Sequence, residues 1–223
     1  MISLEKKEKN IVKSGIKLSF LTLISRILGV IREATKAHFL GTSGLADAFG
    51  VAFLIPNLLR RLFAENSISV AFIPTFRGYL EESREKKETQ DFLNSTFTLI
   101  TFLTTAVVIA GILITPFIVK IFYNDVEQAV IQETIILTRI MFPYLIVISI
   151  AALFQGILNT MNIFSPSGFT PILFNLCVIA GTVFLSKKME NPARAMSVGV
   201  ITGGVVQAVF QLPFVLKSGW KVS

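Results

Sequence analysis

Residues 92–122 read FLNSTFTLITFLTTAVVIAGILITPFIVKIF, an apolar run whose one charge is Lys120. About 20 predominantly apolar residues at a rise of 1.5 Å per residue cross a hydrocarbon core. This run is long enough to span a membrane as a helix. Working outward from it, five further segments carry the same signature: about Ile16 to Leu40, Leu45 to Tyr79, Val130 to Met161, Pro171 to Leu185 and Ala195 to Leu216. All but Pro171 to Leu185 are comfortably long. The segment from Leu45 to Tyr79 is too long for a straight span, and Pro56 within it predicts a kink, because proline removes a backbone donor. Ser165 to Gly168 and Glu190 to Pro192 are expected as turns.

The chain is therefore expected to be an all-α polytopic membrane protein. Residues 1–13 form a basic N-terminus, 14–217 a six-helix transmembrane lobe and 218–223 a short tail. Composition agrees: 52% of the 223 residues are hydrophobic and 16% charged, against about 25% charged in a soluble domain. Mean hydropathy is +0.69. In a soluble protein the net charge of +7 would raise nucleic acid as a partner. Here the charges sit in short segments between apolar runs, the pattern of membrane topology. The single cysteine, Cys177, cannot form an internal disulfide, and the single histidine, His38, cannot build a metal site. No metal or cofactor is expected. No nucleophile–base pair or phosphate-binding glycine loop stands out, so the chain does not read as an enzyme.

Lys6, Lys7, Lys9, Lys13 and Lys17 precede an apolar stretch that Arg26 and Arg32 interrupt. That interruption argues for a retained first helix, not a cleaved signal. Apart from Arg26, Arg32, Arg60, Arg61 and Arg139, the lysines and arginines divide eleven to five in favour of the N-terminal side. Both termini are accordingly expected in the cytoplasm, although Lys187 and Lys188 run against the rule.

The informative charges lie inside the helices. Arg26, Arg32 and Glu33 fall in the first segment, Asp47, Arg60, Arg61 and Glu65 in the second, and Arg139 in the fourth. A central arginine costs about 2.5–3.5 kcal/mol on insertion scales. Such groups must face a cavity, a partner or the interface. Arg26, Gly29 and Glu33 share one helical face, with Arg32 about 120° away. Asn57, Arg60 and Arg61 share a polar flank, and Arg61 with Glu65 at i, i+4 can neutralise itself. Arg139 is expected to snorkel. Arg26, Arg32 and Arg60 leave surplus positive charge, which is stable beside water or an anion. The planar guanidinium suits phosphate oxygens, so one membrane cavity accepting a phosphorylated substrate is expected. Gly199 and Gly203 form a small-xxx-small pattern for close helix contact, and Asn175, Gln207 and Gln211 are expected to bond across helices.

Ser25-Arg26-Ile27-Leu28-Gly29-Val30-Ile31-Arg32-Glu33 resembles the opening helix of the MurJ (MviN) lipid II flippases. So do Asp47-Ala48-Phe49 and the block Pro56-Asn57-Leu58-Leu59-Arg60-Arg61-Leu62-Phe63-Ala64-Glu65. Phe142-Pro143-Tyr144, Gly156-Ile157-Leu158-Asn159, Pro171 with Asn175, and Gln211-Leu212-Pro213 extend the likeness over nearly the whole chain from Ser14. The resemblance implies one lobe of a multidrug/oligosaccharidyl-lipid/polysaccharide (MOP) exporter fold in the bacterial inner membrane. It implies lipid II, the undecaprenyl-pyrophosphate-linked peptidoglycan precursor, as substrate. It places the family's cavity arginines at Arg26, Arg32 and Arg60 and its aspartate at Asp47, with Glu33, Arg61 and Glu65 also at family positions.

Two departures from the family pattern are visible. The sequence ends after the sixth segment, so a C-terminal lobe is expected from the same full-length chain, a split partner or a second copy. Ile163, between Asn162 and Phe164, stands where the family often has a basic residue. A flippase for another lipid-linked oligosaccharide and a non-transporting scaffold are the competing readings. A cation antiporter would concentrate carboxylates in its cavity, and here arginine dominates.

Overall fold

The computed structural model describes residues 2–42, 44–62, 68–82, 85–123 and 126–221, with side chains from residue 16 on, residue 69 excepted. The helices are α1 (Ile2–Leu40), α2 (Gly44–Arg60), α3 (Ile73–Glu81), α4 (Lys86–Phe122), α5 (Gln128–Met141), α6 (Tyr144–Thr160), α7 (Ser165–Leu185) and α8 (Pro192–Lys217). A π-helical turn, Ile68–Phe72, leads into α3. Among the described residues there is no strand. Four spans are long and apolar enough to cross a membrane: Lys86–Phe122, Gln128–Thr160, Ser165–Leu185 and Pro192–Lys217. The protein is a multi-pass helical membrane protein.

Local chemistry sets the boundaries. Pro56 lies inside α2, which continues to Arg60. Ala52, Ile55 and Pro56 are buried, and α2 packs on α5 and α6, so tertiary contact holds the proline turn in place. Pro143 separates α5 from α6, where Leu145 and Ile146 donate to the carbonyls of Phe142 and Pro143 at 3.0 and 3.2 Å. Ser165 to Gly168 open α7 and do not form a separate turn, since Pro166 takes a first-turn position where no donor is needed. α6 ends in a Schellman motif. Asn162 adopts φ 61°, Ile163 N–H donates to Leu158 O at 2.8 Å, and Asn162 N–H donates to Asn159 O at 3.0 Å.

α8 is the hub and touches α7, α6, α5, α1 and α2. Its glycines make this possible. A Cβ added to Gly199 would come within 2.9 Å of Val178 Cα, and one added to Gly181 within 2.8 Å of Gly199 Cα. The α7 and α8 backbones therefore touch directly. Gly203 receives the Phe174 ring and Gly204 the Tyr144 ring. The expected small-residue contact is present and extends to both neighbours of α8.

α4 packs one face inward through Thr104, Val108, Gly111, Thr115 and Val119, a helical spacing. Its opposite face exposes Phe102, Leu113, Phe117 and Ile121, as a lipid-facing helix does. At the Asn191 end, Arg194 grips Glu133 of α5 with Nε and Nη2, each at 2.9 Å. Asn191 donates to the same carboxylate at 2.9 Å and caps α8 by accepting from Arg194 N–H at 3.0 Å. Arg194 also pairs with Glu190.

Candidate functional site: two polar cavities stacked along one helix

α1 leans on α7 while α2 leans on α5, and the two touch each other little. The cleft between them is floored by α7 and α8. Met196, Val200, Gln207 and Gln211 recur along one face of α8 and line two successive cavities.

The first cavity, of about 140 Å³, lies between Arg32, Glu33 and Lys36 of α1 and Phe49, Gly50 and Phe53 of α2. Arg32 reaches across to α7, where Nη1 donates to Asn175 Oδ1 at 3.2 Å, while Nη2 donates to Glu33 Oε1 at 2.7 Å. Asn175 is buried, and its Nδ2 donates back to the Ser25 carbonyl of α1 at 3.2 Å. Both ends of the amide are thereby fixed, with its oxygen aimed at the arginine. The Lys36 ammonium sits 5.7 Å from the centre of the Phe49 ring, a cation–π distance.

The second cavity, of about 270 Å³, lies beside the end of α2. Arg60 borders it, with Nε donating to Asn57 Oδ1 at 3.0 Å. Gln155 and Asn159 of α6, Ser167 and Thr170 of α7, and Gln207 and Gln211 of α8 add to its polar lining.

Arg32 lines the first cavity and Arg60 the second. Arg26 is exposed on α1 outside both. The 120° between Arg26 and Arg32 on the helix produces that separation. Glu33 joins the first cavity through Arg32. Asp47 is exposed and borders, with Lys36 and Glu127, an open cleft at the far end of α2. Arg61 is exposed, and Glu65, its expected partner, lies outside the described residues. Arg139 is exposed and donates to the Ile112 carbonyl of α4 at 3.3 Å. Gln155, Asn159 and Ser167 are absent from the expected site. The spacing of Gln155 and Asn159 at i, i+4 in an otherwise apolar helix is the signal that would find them. Among the described residues no group of histidine, cysteine or carboxylates is placed to hold a metal ion.

Comparison with known proteins agrees with this architecture. The sequence profile of the family "Lipid II flippase MurJ" matches residues 36–223. A probable lipid II flippase MurJ of Treponema pallidum is 48% identical over 97% of this chain, which covers 41% of that protein. A probable lipid II flippase MurJ of Vibrio cholerae is 37% identical over 95% of this chain, covering 42% of that protein. A solved lipid II flippase MurJ in an inward closed conformation superposes with a TM-score of 0.77 at 27% identity, over 93% of this chain and 43% of the other. The chain thus spans roughly two fifths of the length of the relatives it matches. With its family profile matched from Lys36 onward, this chain belongs to the MurJ lipid II flippase family.

Proposed function

We propose that this chain acts as the N-terminal lobe of a lipid II flippase in the bacterial cytoplasmic membrane, with both termini in the cytoplasm. It works with a second lobe by alternating access. The pyrophosphate binds among the lobe's arginines, the lobes rock, and the headgroup leaves on the far side while the polyprenyl tail stays in the bilayer. Movement of lipid II across the membrane supplies cell-wall synthesis.

One observation carries this reading: the state of Arg32. Its side chain is 25% exposed, and one guanidinium edge is held by a neutral amide, Asn175. The other edge is paired with Glu33, whose side chain is 59% exposed. A partner so open to solvent is easily displaced, and two phosphate oxygens fit the vacated edge. Arg60, steadied by Asn57, offers a second phosphate ligand. Asp47, Arg26, Arg61 and Glu65 are assigned to the same substrate path.

The test is flipping of lipid II, read at the outer face in cells that depend on the intact protein, with abundance measured alongside. Arg32→Ala and Arg60→Ala are each expected to lower flipping at least tenfold, and Arg32→Lys to rescue poorly. Wild-type flipping by the triple alanine variant with Arg26, at normal abundance, would overturn the reading.

A further inference from the structure

The backbone does not run straight out of α8. Ser218 follows the helix, its hydroxyl donating to the Val215 carbonyl at 2.6 Å. Gly219 then reverses the backbone at φ 92°, a conformation that favours glycine. Trp220 is thereby turned inward. It is 8% exposed and joins the apolar cluster that holds Phe76 of α3, Leu93 of α4 and Leu153 of α6. Its ring meets that of Phe76 edge to face, with centroids 5.8 Å apart. Lys221 is held by a paired clamp. Its N–H donates to Gln90 Oε1 of α4 at 3.1 Å, and its carbonyl accepts from Gln90 Nε2 at 2.6 Å. One side-chain amide thus takes both backbone groups of one residue, as a neighbouring strand does. A backbone N–H only donates and a carbonyl only accepts, so the amide has one orientation. Residues 218–221 form a strap across the end of the lobe.

The strap joins elements that otherwise barely meet. α4 packs on α5 and α6, while α8 packs on α7, α6 and α5. α3 has nine residues, too few to persist as a helix without tertiary contact. It also forms part of a wall. Ile73 of α3 and Ile68 of the π-helical turn line the second cavity, which Arg60 borders. Phe72 and Phe76 stack at 5.4 Å, and Phe76 carries the contact on to Trp220. Trp220 therefore braces the wall through two phenylalanines, and Gln90 holds the residue next to Trp220. Both clamp bonds lie at the surface, where water competes for them. The strap can open locally while the rest of the lobe stays folded.

We propose that residues 218–221 are a latch on the mouth of the second cavity. Closed, the latch holds α3 against the cavity. Open, it frees α3 to swing away and widens the cavity at the end of the lobe where α2, α6 and α8 finish. That this end is cytoplasmic, and that a lipid headgroup enters there, rests on the function proposed above. The coupling of strap to cavity does not.

The experiment places a reporter, Ser167→Cys, in the wall of that cavity, where the serine is buried. The full-length protein is used, with Cys177 and any further cysteine replaced by serine. A membrane-impermeant thiol reagent is added to inside-out vesicles, on the side of the strap. Gln90→Glu keeps the size of the side chain but sets a carboxylate against the Lys221 carbonyl. Labelling of the reporter is expected to quicken about tenfold, the factor for losing one or two ordinary hydrogen bonds. Gly219→Ala is the second variant. Only the end of the Lys86 side chain, at 4.0 Å, lies near a Cβ there, so the change strains the turn without crowding the lobe. The same quickening is expected, with faster hydrogen exchange at the Lys221 amide in both variants. Unchanged labelling in both variants, whether or not Lys221 exchanges faster, overturns the latch. Quickening seen only with reagent on the opposite face upholds the latch and overturns the orientation proposed above.

Discussion

Asn175 on α7 links to α1 twice: its oxygen accepts from Arg32 and its nitrogen donates to the Ser25 carbonyl, both at 3.2 Å. The eight residues from Ser25 to Arg32 of α1 are thereby pinned to α7 by one buried amide. Asn175→Leu removes both bonds, frees the arginine to collapse onto Glu33 and leaves the Ser25 carbonyl with one bond fewer. Flipping is expected to fall about tenfold with abundance reduced less than twofold. Asn175→Asp keeps an acceptor for Arg32 but competes with the phosphate for it. It is expected to impair flipping while preserving thermal stability, which separates the binding role from the packing role.

The glycine seam makes a sharper stability prediction. Gly199→Leu forces side-chain atoms against the Val178 backbone, where a Cβ alone would already stand 2.9 Å away. Overpacking costs about 1–3 kcal/mol, and a backbone neighbour cannot yield as a flexible side chain does. Thermal unfolding in detergent should show a lowered midpoint. Gly29→Ala is the contrasting control. Nothing lies within 4 Å of a Cβ at that position, and replacing a mid-helix glycine by alanine stabilises by about 0.5–1 kcal/mol.

Arg194 and Glu133 form a doubly bonded ion pair, with side chains 19% and 13% exposed. Arg194→Ala strands the carboxylate on Asn191 and is expected to cost about 2 kcal/mol, below the figure for a fully buried pair because water still reaches it. The double variant Glu133→Leu with Arg194→Leu should be milder than either single one, since no charge is left without a partner. Thermal midpoints of the single and double variants measure the difference.

Arg139 supplies the negative case. It is exposed and holds one long bond to Ile112, so Arg139→Ala is expected to leave flipping within about twofold of wild type. A tenfold loss would place Arg139 on the substrate path.

Orientation is checked by cysteine labelling in a Cys177→Ser background. Cysteines at Glu190 and Tyr123 should react with an impermeant reagent added outside intact cells, and a cysteine at Lys6 should not. The reverse pattern would invert the lobe and the direction of transport argued from it.

Much of the fold is legible in the sequence because lipid imposes length and apolarity on every span. Phe92–Phe122, Pro171–Leu185 and Ala195–Leu216 each fall within an observed helix. The errors arise where proline and small polar residues have two uses. Ser165-Pro166-Ser167-Gly168 satisfies the rules for a turn, yet the same residues suit a first helical turn, where proline lacks nothing it needs. Pro56 lies inside α2, where burial against α5 and α6 accommodates it. The arginines are recognisable as anomalous from cost alone. The helical angle from Arg26 to Arg32 sets Arg26 outside both cavities, and where Arg32 and Arg60 fall depends on how α7 and α8 lie, which only the fold fixes. Gln155 and Asn159 escaped notice because an amide in an apolar helix is indistinguishable, by sequence, from an interhelical strut.

The bare contact between Gly181 and Gly199 has a mechanical consequence. With no side chain between them, α7 and α8 mesh carbonyl against Cα, and sliding by even the 1.5 Å of one residue would drive backbone into backbone. The pair is stiff in shear and moves as one plank. Compliance must then reside where contact is sparse, between α1 and α2, whose separation sets the width of the cleft over that plank. Arg32 and Arg60 ride on the two compliant edges. A load that draws the edges together would be felt as a change of cleft width at nearly constant curvature of the plank beneath.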